Sequence, residues 1–205
     1  VDVEVCARVD WKPRDLARAY LAGGARLLQL RAKVLGGAAF LELAEAVVED
    51  AHRVGGRVII NDRADLAALS HADGVHVGQD DLTPADVRRV MGEGLIGLST
   101  HTAEQIEAAV SAQISYFAIG PIFGTRTKAT GYDAVGYDAV RHAAARGATR
   151  GLPVVAIGGI TLATAPRVIA AGAASVAIIT DLMTANPEMR VREYLAALGR
   201  LTAES

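Results

Sequence analysis

Short β-rich apolar runs alternate with longer Ala- and Leu-rich amphipathic stretches along the whole of this 205-residue chain, with a period of about 26 residues. Strands are expected at Val3–Val9, Leu27–Leu30, Val58–Ile60, Gly74–Val77, Leu95–Leu98, Tyr116–Ile119, Val154–Ile157 and Val176–Ile179. The stretches between them, such as FLELAEAVVEDAHRV, TAEQIEAAVSA and PEMRVREYLAALGRL, place apolar residues at helical spacing and read as crossover helices. Runs that are apolar throughout are buried on both faces, which points to parallel pairing. Eight βα units predict an α/β fold of one domain over residues 1–205, a compact (β/α)8 TIM barrel, with an open doubly wound sheet as the alternative.

Composition narrows the function classes. The chain is 51% apolar and 21% charged, so it can bury a core, and disorder is excluded. Apolar runs such as SVAII and VVAI fall far short of the ~18 residues that span a bilayer, so no membrane partner is expected. Basic and acidic residues number 21 and 23 and are mixed along the chain, which argues against a nucleic-acid partner. The single cysteine, Cys6, can form neither an internal disulfide nor a thiolate metal cluster, and no signal pattern opens the sequence. A cytoplasmic setting is expected, and a homo-oligomer is left open.

In parallel α/β folds the chemistry gathers at the carboxyl ends of the strands. In this chain those ends are polar or glycine throughout. The strand at Leu27–Leu30 carries Gln29 and runs into Arg31 and Lys33, and the next strands run into Asn61 and Asp62, into Gln79, Asp80 and Asp81, and into Ser99 and His101. Thr125, Thr127 and Lys128 lie in a long segment, about seventeen residues from Gly120 to Gly136, of the length at which loops become functional. Gly158, Gly159 and Thr161 follow the seventh expected strand, and Thr180 the eighth, which ends at Ile179.

Asp62 and Asp81 follow neighbouring strands, and two hard oxygen donors at one rim suit Mg2+, which completes its octahedron with water and phosphate oxygens. The bland alternative is that Asp62 caps the following helix and that Asp80 or Asp81 starts a turn. Arg31, Lys33 and Lys128 would set three cations opposite that metal, an arrangement suited to a diphosphate, though surface cations are the commoner fate of such residues. The pair Gly158–Gly159 ahead of a helix suits a phosphate, as does the hydroxyl of Thr125 or Thr127, while glycine also simply makes turns. No nucleophile stands at a recognisable spacing from a base, and His76 reads as structural.

The segments LQLRAK, IINDRADLA, ADGVHVGQDDL, GLSTHT, AIGPIFGTRTKATGYDAVG, PVVAIGGIT and AAGAASVAI stand in the order found in the thiamine-phosphate synthases (thiamine-phosphate pyrophosphorylases), and the chain resembles that family from Ala17 to Thr184. The resemblance implies a (β/α)8 barrel that joins hydroxymethylpyrimidine diphosphate to hydroxyethylthiazole phosphate with Mg2+, releasing pyrophosphate by a dissociative substitution. It assigns Gln29, Arg31, Lys33, Asn61, Ser99 and Lys128 to the pyrimidine diphosphate, with Arg31, Lys33, Lys128 and Ser99 at the chemistry. Asp62 and Asp81 fall to the metal, and Thr125, Thr127, Gly159, Ile179 and Thr180 to the thiazole phosphate.

The chain departs from the family pattern at Ala32, where an acidic residue is common, at Thr180, where serine is common, and in VDVEVCARVD, which matches the first strand poorly. A thiazole tautomerase on the same barrel is the nearest rival. Such relatives resemble the chain but carry a histidine where it has Pro121 in GPIFGT. A non-catalytic barrel that binds a phosphate ligand would lose the metal, and an aldolase or isomerase barrel would need a catalytic Lys or Glu at a strand end.

Overall fold

The computed structural model describes residues 1–124 and 131–202, with side chains as far as 199. Its contacts divide it into two compact units, Val1–Ile96 with Leu182–Arg192, and Gly97–Asp181 with the chain from Glu193 onward. Seven strands, all parallel in the pairings resolved, follow one another in chain order: β1 (Leu27–Leu30), β2 (Arg57–Asn61), β3 (Gly74–Val77), β4 (Leu95–Thr100), β5 (Tyr116–Ile119), β6 (Val154–Ile157) and β7 (Ser175–Ala177). The helices are α1 (Val3–Arg8), α2 (Pro13–Ala22), α3 (Gly37–His52), α4 (Ala64–Leu69), α5 (Pro84–Met91), α6 (Ala103–Ser111), α7 (Gly136–Ala148), α8 (Ala165–Ala170) and α9 (Pro187–Thr202). None of the described helices is long and apolar enough to cross a membrane.

The first expected strand, Val3–Val9, is a helix, so the described residues form a seven-stranded sheet in place of the eight-stranded (β/α)8 barrel. The alternation Val-Asp-Val-Glu-Val has the strand period, yet Asp2 accepts a hydrogen bond from the Val5 N–H at 3.1 Å and starts α1. A side chain that caps its own downstream backbone competes directly with a sheet ladder. Only the residues ahead of the helix lie beside β1. Asp2 forms one parallel bridge with Arg31, whose N–H donates to Val1 O and whose carbonyl accepts from Val3 N, both at 2.9 Å.

In the first unit β1 pairs with β2 and β2 with β3, with Gln29 opposite Ile59 and Asn61 opposite His76. The strands are apolar because helices cover them: Leu28, Leu30, Val58, Ile59, Ile60, Val75 and Val77 are buried with Leu16, Phe40, Val47 and Leu66 of the helices. In the second unit β5 pairs with β4 and with β6, and β6 with β7, over a core of Phe117, Ile119, Ile122, Val154, Ile106, Val140 and Val168. Two strand ends differ from expectation in a way that matters for the site. β4 continues to Thr100 because the Thr100 hydroxyl is buried and donates to Ala118 O at 2.8 Å, which puts Ser99 inside the strand. β7 stops at Ala177, so Ile179 lies past it, and Thr180 opens a 3₁₀ turn that runs to Leu182.

Candidate active site

At the carboxyl ends of β1, β2 and β3 the first unit gathers charge. Asp62 directly follows β2, and its N–H continues the ladder by donating to His76 O at 2.8 Å. Its φ of +62° is a left-handed conformation that Asp tolerates better than most residues and that turns the chain away from the sheet. The Asp62 carboxylate is mostly buried and forms an ion pair with the Lys33 ammonium. Burial pushes its pKa above the ordinary carboxylate value, and the neighbouring Asp81 carboxyl pushes in the same direction, against the opposing pull of Lys33.

Asp81 is held by its own turn, where one of its carboxylate oxygens accepts the Gly78 N–H at 2.8 Å. A Cβ at Gly78 would lie 3.1 Å from that oxygen, so the small residue lets the carboxylate come in. Asp81 thus makes the turn after β3, as the bland reading has it, and its carboxyl also lies beside that of Asp62. The alternative for Asp62 does not hold, because α4 is preceded by Arg63 and has no side-chain cap. Asp80 is exposed.

Two carboxylates in contact repel unless a proton or a cation stands between them, and oxygen donors of this kind suit Mg2+. The donor set therefore fits the ion that the sequence predicts. Among the described residues no group of three or more His, Cys, Asp or Glu forms a fuller metal cluster.

Both cations of this rim, Arg31 and Lys33, are paired with carboxylates. Arg31 Nη1 donates to Asp2 Oδ2 at 2.8 Å and to Glu4 Oε2 at 2.5 Å, and Lys33 is paired with Asp62. The other Glu4 oxygen accepts the backbone N–H groups of Lys33 at 2.7 Å and Val34 at 3.1 Å. Sequence reasoning did not single out Asp2 or Glu4, because it read Val3–Val9 as a strand and assigned no role to the carboxylates at its start. Gln29 and Asn61 are half-buried near the ends of β1 and β2.

In the second unit Ser99 is half-buried in β4 opposite Ala118. His101 follows the strand, with its Nδ1 2.5 Å from Gly120 O and its ring stacked on Tyr132, centroids 4.0 Å apart. Gln105 Nε2 donates to the Tyr132 hydroxyl at 3.3 Å, while Gln105 Oε1 accepts the His101 N–H at 2.7 Å. Neither Tyr132 nor Gln105 carried a sequence signal, since only the fold brings the segment after Gly131 back to α6. Thr125, Thr127 and Lys128 lie outside the described residues.

Gly158 and Gly159 have φ of +100° and +64°. A Cβ on Gly158 would come within 2.6 Å of Pro121, and one on Gly159 within 2.7 Å of Gly124 O. The glycines are thus required by close packing against the chain after β5, where Ile122 and Phe123 donate to Ile157 O and Gly158 O. The helix that was expected directly after them is the short α8, which begins only at Ala165, after a turn in which Thr161 N–H donates to Thr164 Oγ1. Ile179 is half-buried and Thr180 exposed. Next to them Asp181 accepts from Leu162 N–H at 3.0 Å and from the Tyr194 hydroxyl at 2.6 Å, a tie that sequence reading did not find.

The family described as Thiamine monophosphate synthase matches residues 6–182. The chain belongs to that family. A thiamine-phosphate synthase of Chlorobium luteolum is 41% identical over 196 residues, covering 95% of this chain and 91% of the relative. One of Laribacter hongkongensis is 39% identical over 204 residues, covering 99% and 94%. Among solved structures, a thiamine phosphate pyrophosphorylase from Pyrococcus furiosus superimposes with a TM-score of 0.87 at 23% identity, over 95% of this chain and 93% of that one. A 3-hexulose-6-phosphate synthase shares the architecture at a TM-score of 0.61 and 19% identity, so the fold alone does not choose the chemistry. Family membership does that.

Proposed function

We propose that the chain is a thiamine-phosphate synthase, a transferase that condenses hydroxymethylpyrimidine diphosphate with hydroxyethylthiazole phosphate to give thiamine phosphate and pyrophosphate. The observation that carries this reading is the contact of Lys33, Asp62 and Asp81 at the ends of β1 to β3 in a chain of this family. The setting is a single-domain cytoplasmic enzyme acting on small molecules.

In this reading Gln29, Arg31, Lys33, Asn61, Ser99 and Lys128 bind the pyrimidine diphosphate. Arg31 offers a planar fork of donors to phosphate oxygens, and Lys33 and Lys128 offer point charges. Asp62 and Asp81 would hold Mg2+, which when bound supplies positive charge to a departing pyrophosphate. Were Asp62 to hold that ion, the Lys33 ammonium now paired with it would be free to turn to a phosphate oxygen. Thr125, Thr127, Gly159, Ile179 and Thr180 bind the thiazole phosphate. The thiazole nitrogen attacks with its own lone pair and has no proton to lose, so no general base is required and the residues act by orientation and electrostatics.

Pyrophosphate release with both substrates and Mg2+ tests the reading. Release that depends on both is expected. Absence of release, or thiazole phosphate turnover without the pyrimidine partner, would overturn it in favour of a binding barrel or a tautomerase.

A further inference from the structure

We propose that Glu4, together with Asp2, is a positioning residue for the diphosphate site: it fixes the Arg31 guanidinium and the backbone at Lys33 and Val34 in the arrangement that receives the pyrimidine diphosphate. This rests on the role given above to Arg31 and Lys33.

Glu4 makes three charge-assisted hydrogen bonds at once, Oε2 to Arg31 Nη1 at 2.5 Å and Oε1 to the N–H groups of Lys33 at 2.7 Å and Val34 at 3.1 Å. Asp2 adds a second carboxylate to the same guanidinium nitrogen at 2.8 Å, and Asp2 is itself locked by capping α1. Only Nη1 is taken. Arg31 Nε is buried and has no hydrogen-bond partner among the described residues, a donor left over on a guanidinium whose other end is anchored. An arginine tied at one nitrogen has already lost its rotamer freedom, so an anion that meets its remaining donors need not order it again.

The backbone bonds extend the effect. In the segment between β1 and α3 the Arg31 N–H donates to Val1 O, and Glu4 supplies an acceptor for the N–H groups of Lys33 and Val34. Fixing the Lys33 backbone fixes the root of the side chain that reaches Asp62. Glu4 thus touches both Arg31 and Lys33 without standing among the residues given to either substrate. Its carboxylate comes from α1, the element that stands where a strand was expected.

A rival consequence of the same contacts is quenching, in which Glu4 competes with the diphosphate for Arg31. The two differ in sign. Steady-state KM for each substrate, calorimetric binding of the pyrimidine diphosphate with Mg2+, and thermal melting are measured for Glu4→Ala, Glu4→Gln, Asp2→Asn and Arg31→Ala. Positioning predicts that Glu4→Ala raises the KM for pyrimidine diphosphate on the order of tenfold and leaves that for thiazole phosphate unchanged. Glu4→Gln, which keeps the shape and an acceptor for the backbone, recovers part of the loss, and it carries the test if Glu4→Ala does not fold. A diphosphate KM that is unchanged or lower, or two KM values that rise together, overturns the proposal. Arg31→Ala separates the levels: if it raises the diphosphate KM while the Glu4 variants do not, positioning alone fails. If it leaves that KM unchanged, the reading of Arg31 fails and takes the proposal with it.

Discussion

Asp62 combines three properties that rarely coincide in a residue without a role: a left-handed backbone, a mostly buried carboxylate and a second carboxylate beside it. Each costs free energy in the resting protein, and a bound divalent cation would relieve the last two. Asp62→Asn, which keeps the tolerance for the left-handed backbone while removing the charge, is therefore expected to lower turnover on the order of a hundredfold, with a melting temperature no lower than that of the parent. A titration of rate against Mg2+ checks it, and parental activity at limiting Mg2+ would count against the assignment. Gly158 makes the opposite case, a residue explained by packing. Its substitution by alanine puts a Cβ 2.6 Å from Pro121 at a φ of +100°. Gly158→Ala should lose about 2 kcal/mol or more in denaturant unfolding, whereas an unchanged midpoint would mean that the chain after β5 simply shifts away.

At the scale of elements, α2 and α3 are joined by a buried acid. Asp50 of α3 is 5% exposed and accepts from Arg14 and Arg18 of α2 and from Arg53 at the end of its own helix. The Arg14 guanidinium foremost, aided by the other two, holds the Asp50 carboxyl far below the usual carboxylate range. Below about pH 4 the unfolded chain therefore binds a proton at this position that the folded chain does not. The contribution of Asp50 is present above that pH and is lost as the pH falls toward its depressed folded value. The arginine side chains are between 36% and 59% exposed, which screens the pairs. Asp50→Asn should then cost about 2 kcal/mol at pH 7 and weaken the acid dependence of stability. Urea unfolding at pH 7 and pH 3 measures both, and a variant that loses as much at pH 3 as at pH 7 would refute the assignment.

For the molecule as a whole, the small net charge of −2 conceals a local excess of acid. Around β1 to β3 four carboxylates, Asp2, Glu4, Asp62 and Asp81, face two cations, Arg31 and Lys33. A diphosphate meets repulsion there unless a divalent cation accompanies it. Removal of Mg2+ with a chelator should abolish calorimetric binding of the pyrimidine diphosphate and pyrophosphate release, while leaving the melting transition within a degree or two. Undiminished binding without metal would show that the cations alone suffice.

Much of this was legible in the sequence. The period of the apolar runs located β1 to β7 to within a few residues, because burial on both faces of a parallel strand leaves a continuous apolar signature. The polar residues that follow those runs pointed to Asp62, Asp81 and Lys33, which the fold brings together at neighbouring strand ends. Tertiary structure alone decided the rest. Val3–Val9 has the strand period, and only the Asp2 cap, seen once the chain is folded, makes it a helix. Glu4 reached Arg31 across 27 residues of sequence, and Tyr132 reached His101 across 31, contacts that no local pattern encodes because they depend on where the chain returns. Periodicity records which face of an element meets the core, whereas pairing between distant side chains is settled only when the elements have packed.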